Sequence, residues 1–164
     1  MLSKILSGSE CASCRFCCSF RRQSLWETPL FTSEEKESLQ KKYPESKFRP
    51  AEKSSWTIDL GSEYKTSDPE EEAPCWFLDP HKGCILSKEE KPFDCSIWPL
   101  RIMSRQNEKV IALTPTCPAV NKVPAAKIKK LVDEELSDAI LKKAEENPDM
   151  IKSYRDGFPV IKEL

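Results

Sequence analysis

Four cysteines stand in one eight-residue block, Cys11-Ala12-Ser13-Cys14-Arg15-Phe16-Cys17-Cys18, and four more follow at Cys75, Cys84, Cys95 and Cys117. A C-x2-C-x2-C-C block holds several thiolates within reach of a common centre. Soft sulfur donors in such numbers suit zinc or an iron–sulfur cluster, not magnesium or calcium. The spacing of Cys11, Cys14 and Cys17 is that of a ferredoxin loop, which wraps three corners of a 4Fe–4S cubane while a remote cysteine takes the fourth. Cys117-Pro118 has the form of that fourth ligand. Cys18 diverges from Cys17 along the backbone, which leaves it to join Cys75, Cys84 and Cys95 in a second four-thiolate site. Zinc is the alternative, because Cys11-x2-Cys14 is a zinc-knuckle spacing, although the later cysteines contain no C-x2-C pair.

Disulfides are the competing use of eight cysteines. They require an oxidising compartment. Met1 to Glu10 carries one lysine and no continuous apolar run, so a secretory signal is not expected and the cytoplasm is the default. No stretch approaches the about 18 apolar residues of a membrane span. The net charge of −1 gives no basic field for nucleic acid or anionic lipid. Only 38% of the chain is hydrophobic and 32% is charged, so a small core is expected to need metal staples. The single histidine, His81, lies in a Pro-His-Lys-Gly turn and reads as a surface residue. No Ser–His–Asp set, phosphate loop or paired-carboxylate signature is present, which argues against ordinary hydrolase chemistry.

The elements that must position the cysteines are legible in part. Thr32-Ser33-Glu34-Glu35 predicts a capping box and a helix to about Tyr43, packed lightly through Leu39 and Tyr43. Alternation over Ser54–Leu60 predicts a strand. Gly61–Pro74 is acidic and turn-rich, and reads as a solvated loop. Cys75–Leu78 and Cys84–Leu86 read as short strands around the turn 79–83. Ile97–Met103 and Lys109–Thr114 read as a hairpin, with Pro99 weakening the first strand. From Pro124 an apolar stripe of Ile128, Leu131, Val132, Leu136, Ala139, Ile140 and Ala144 predicts a helix with an Asp138–Lys142 pair. Asn147-Pro148 ends that helix and caps a short one that Gly157 stops. The fold class is α+β: residues 1–123 form a cysteine-cluster domain, and 124–164 a helical segment packed on it as one structural unit. The stripe serves this core or, alternatively, a weak dimer; monomer or weak dimer is the expectation.

The joint pattern resembles the YkgJ-type cysteine-cluster family, described as zinc- or iron-chelating. The resemblance rests on Cys11, Cys14, Cys17 and Cys18, on Cys75-Trp76-Phe77-Leu78, on Gly83-Cys84-Ile85-Leu86, on Lys91-Pro92-Phe93-Asp94-Cys95-Ser96-Ile97-Trp98-Pro99, and on Cys117. Ser96 and Leu86-Ser87 depart from the commoner residues of those segments. A more distant resemblance to the cysteine region of flagellin lysine N-methylases implies a methyl-transfer or redox setting. The resemblance implies all eight cysteines as metal ligands and no catalytic residue. Together these readings lead to an iron–sulfur protein in electron transfer or cluster-dependent enzymology, with a protein redox partner or protein substrate; the alternative is a non-catalytic zinc module. Cys18 is expected to be the least essential ligand, with Arg15, Arg21 and Arg22 holding its thiol as thiolate.

Overall fold

The structure, a computed structural model, describes residues 14, 16–22 and 24–164; Cys11 and Arg15 lie outside them. The fold is α+β, and the chain forms two compact units that meet in sequence between Cys95 and Ser96. That division lies ahead of the one expected after residue 123, because the hairpin that follows Cys95 belongs with the C-terminal helix.

The first unit, within Ala12–Cys95, is built from very short elements. β1 (Ser19–Arg21) pairs antiparallel with β4 (Glu72–Pro74), setting Phe20 opposite Ala73. α1 (Ser33–Lys42) opens on the expected capping box: Thr32 Oγ1 accepts the Glu35 N–H, and the Glu35 carboxylate accepts the Thr32 N–H. β2 (Phe48–Pro50) pairs with β3 (Trp56–Ile58), a shorter strand than the alternation suggested. The acidic loop is not merely solvated. Its end forms β4, and the Glu71 carboxylate gathers the N–H groups of Lys65 and Thr66. β5 (Leu78–Asp79) and β6 (Gly83–Cys84) form a small hairpin, in which the Asp79 carboxylate accepts the His81 and Lys82 N–H groups. Gly83 closes it at φ 81°, a left-handed conformation that favours glycine. Phe20, Phe31, Leu39, Ile58, Leu60, Ala73, Phe77 and Leu86 form the core, with edge-on ring contacts such as Phe31–Phe48 at 5.2 Å. α2 (Phe93–Ile97) crosses the division between the units and takes up Ile97, expected to begin a strand; Pro92 opens this turn of helix, and Ile97 is buried.

The second unit, Ser96–Leu164, is a four-stranded sheet with a long helix. β7 (Leu100–Arg105) and β8 (Glu108–Leu113) form the expected hairpin. The turn is only Gln106-Asn107, both at positive φ, which suits the twist of the strands. β9 (Lys152–Ser153) adds parallel to β7, and β10 (Val160–Glu163) antiparallel to β8. Neither outer strand was expected, since 124–164 read as helical throughout. Each is short, and their apolar content carries no clean alternation.

The helix itself is interrupted. α3 (Ala125–Leu131) runs into a π turn, Val132–Leu136, and then into α4 (Ser137–Glu146). The Ser137 N–H reaches back five residues to the Val132 carbonyl. At about 100° per residue an uninterrupted helix would turn Ala139 inward and carry Ile140 off the apolar face. The extra residue reverses this, so Ile140 and Ala144 are buried and Ala139 is exposed. The helix carries the surface ion pairs Lys129–Asp133, Lys130–Glu134 and Lys143–Glu146, and Lys162 also reaches Asp133; the expected Asp138–Lys142 pair does not form. Asn147 caps the short helix Pro148–Met150, accepting the Asp149 N–H, but that helix ends well before Gly157.

Candidate metal centre

Three local arrangements bring distant cysteines of the first unit together. A 3-10 turn, Phe16–Cys18, leads directly into β1. The Cys18 carbonyl then accepts the Cys75 N–H at 2.6 Å, which ties the cysteine block to the segment following β4. The Cys75 carbonyl accepts the Leu78 N–H at 2.9 Å, so the chain turns at once into the β5–β6 hairpin, where Cys84 stands opposite Leu78. Cys95 arrives on α2. Its neighbour Asp94 is buried, and Asp94 Oδ2 accepts the Leu30 N–H at 3.2 Å, which pins this helix to the loop ahead of α1. Asp94 is a positioning residue that spacing arguments passed over. Its place immediately before Cys95 was the available signal.

The thiols of Cys17, Cys75, Cys84 and Cys95 are close enough to act on one another electrostatically. Burial, then the sulfurs of Cys84 and Cys17, push Cys75 up to about 12. Cys95 is also raised well above its ordinary value: surrounding protein crowds its sulfur, and Cys75, Asp94, Cys84 and Cys17 add repulsion, although the residue keeps an open surface. Cys17 is raised first by its hydrogen bond to the Cys18 thiol and then by burial, with the Lys91 ammonium acting weakly in the other direction. Burial and the neighbouring sulfurs penalise an uncompensated thiolate, and a cation among the four sulfurs would reverse the repulsive part.

The seven described cysteines are all free thiols. Among the described residues no group of three or more Cys, His, Asp or Glu side chains is already drawn together as a metal site. The donor set itself, four unbridged sulfurs backed by Trp76 and the core ring Phe77, fits a thiophilic metal. Cys17, with the Cys18 thiol hydrogen-bonded to it, acts electrostatically on Cys75 and Cys95. Cys14 is exposed, and Cys117 is the only cysteine of Ser96–Leu164. Cys11 lies outside the described residues. His81 is an exposed turn residue, as its sequence context suggested. The arginines thought to act on Cys18 are engaged elsewhere: Arg21 by Glu27 and Glu70, Arg22 by Glu71 and the Thr66 carbonyl. Phe16, within the cysteine block, is half exposed.

No family model matches the chain, and neither curated proteins nor solved structures give a significant match.

Proposed function

We propose that the first unit holds an iron–sulfur cluster through Cys17, Cys75, Cys84 and Cys95, and that the protein acts in the cytoplasm in electron transfer or cluster-dependent enzymology with a protein partner. The observation that carries this reading is the approach of four unbridged thiols from four separate segments of one small unit. A bound cluster supplies one-electron chemistry. The chain's part is to supply sulfur ligands and to limit water around them with Trp76 and Phe77. Among the described residues no helix is long and apolar enough to cross a membrane.

Zinc is the second reading, and one observation favours it. Grouping Cys17 with Cys75, Cys84 and Cys95 separates it from the ferredoxin-like triplet on which the iron reading was first based. Four thiolates from separate loops close a structural zinc site equally well. Anaerobic purification followed by iron, acid-labile sulfide and zinc analysis tests both. Iron with sulfide and a brown colour is the expected result. Stoichiometric zinc without sulfide replaces the cluster by the structural site, and protein lacking both metals defeats both readings.

A further inference from the structure

Away from the cysteines, the first unit contains a cavity of about 140 Å³ with Arg22, Arg49, Asp59 and Tyr64 on its walls and Ile58 and Leu60 at its floor. Two arginines lining so small a space give it a positive character that favours an anionic group. Neither is fully committed to the protein. Arg22 donates through Nη2 to the Thr66 carbonyl and, at 3.3 Å, to Glu71, while its carbon lies 4.1 Å from the centre of the Tyr64 ring. Its Nε is buried and donates to nothing, an expensive omission for a charged donor. Arg49, on β2, has no hydrogen-bond or ion-pair partner for its side chain among the described residues. Both arginines act on the Tyr64 phenol, opposing the upward push of burial.

The remaining wall carries the opposite charge. Asp59 Oδ1 accepts the Gly61 N–H at 2.9 Å, which fixes the carboxylate at the edge of the cavity and leaves Oδ2 without a protein partner. A side chain at residue 61 would crowd it, since a Cβ there would lie 3.1 Å from Asp59 Oδ1. Two arginines and one aspartate thus line the same cavity as the apolar Ile58 and Leu60. A phosphate dianion would be repelled by Asp59, and a metal cation by the arginines. A zwitterion satisfies both sides. The space admits about six heavy atoms, judged by cavities of similar size that hold one benzene ring.

We propose that this cavity binds a small α-amino acid, its carboxylate paired with the Arg22 and Arg49 side chains and its ammonium with Asp59. Bidentate guanidinium–carboxylate geometry supplies orientation as well as attraction.

Calorimetric titration of the full chain, purified anaerobically with its metal, decides the matter with four probes: L-alanine, acetate, methylamine and inorganic phosphate. L-Alanine should bind saturably and at least tenfold more tightly than the other three. Arg49→Gln should weaken L-alanine at least tenfold, and Asp59→Asn should abolish its advantage over acetate while acetate still binds. Absence of saturable L-alanine binding, phosphate binding as tight as L-alanine, or an unchanged affinity in Arg49→Gln overturns the proposal. If Arg49→Gln does not fold, Asp59→Asn becomes the deciding variant, and an unchanged preference for L-alanine over acetate there has the same consequence. None of the cavity residues is a proposed metal ligand, so the outcome is separable from iron versus zinc.

Discussion

The two units reach a folded state by different means. In Ser96–Leu164 a hairpin with six residues per strand meets a long amphipathic helix, and Leu100, Ile102, Met103, Val110, Ile111, Val132 and Ile140 are almost wholly buried. Its one cysteine is incidental to that packing. In Ala12–Cys95 no described strand exceeds three residues, yet six described cysteines fall there. Short strands contribute few ladder bonds and little paired apolar surface. The difference teaches where a metal staple would matter most: the second unit packs a hairpin on a long helix, whereas the first has a smaller core and only short strands around its cysteines.

The largest effect should come from stripping the metal. Chelation under reducing, anaerobic conditions should speed amide exchange in β1–β6 about a hundredfold or more, because metal affinity there is folding free energy. β7, β8 and α4 should keep their protection. Hydrogen exchange read by mass spectrometry separates the two, and equal protection with and without metal in β1–β6 would abolish the distinction.

Single thiols sharpen the same contrast. Cys75→Ser should lose most of the bound metal, as should Cys95→Ser. Cys18→Ser should keep most of it, since a serine hydroxyl can still hydrogen-bond the Cys17 thiol and the Cys18 carbonyl that accepts the Cys75 N–H is unchanged. Metal content per chain is the measurement. Equal losses in all three variants would return Cys18 to the ligand set.

Ile102→Ala tests the other side. Ile102 is 1% exposed in the central strand β7, and truncation should cost about 2–5 kcal/mol in urea unfolding of the second unit. Metal content should not change. Loss of metal in this variant would mean that the two units do not fold separately.

The smallest effect is electrostatic. The Glu71 carboxyl drops from its ordinary 4.5 to about 2, held first by the Thr66 hydroxyl and then by backbone N–H groups and Arg22. A depressed folded-state value makes a contribution that is complete above the unfolded value of about 4.5 and lost as pH falls through about 2. Glu71→Gln should therefore be less stable than the parent at neutral pH, and the difference should shrink steadily below pH 4.5. NMR titration of the carboxyl carbon reads the shift directly; a midpoint near its ordinary value would remove the claim.

What the sequence disclosed was local in origin. The capping box at Thr32 and Glu35, the hairpin around Gln106 and the Asn147 cap each depend on residues within a few positions of one another, and each is present. The α+β class was readable for the same reason. Cys17 and Cys18 could not be told apart by spacing, because the choice depends on the direction in which the 3-10 turn enters β1. The cavity escaped notice because Arg22, Arg49 and Asp59 belong to three segments, none with a motif. Ala139 was misplaced because periodicity assumes an unbroken helix.

The π turn at Val132–Leu136 has an evolutionary consequence. A helix with one surplus residue bears the mark of an insertion, absorbed in a single turn so that the faces before and after it remain aligned. Deleting Glu134, which is solvent-facing and makes only a 3.9 Å ion pair, should restore ordinary winding and leave Ile128, Val132, Ile140 and Ala144 on one side. The same deletion within Ser137–Glu146 would rotate everything beyond it by about 100° and expose the buried side chains that follow. Homologous chains that differ in length by one residue in this helix should therefore differ at the π turn and nowhere else along it.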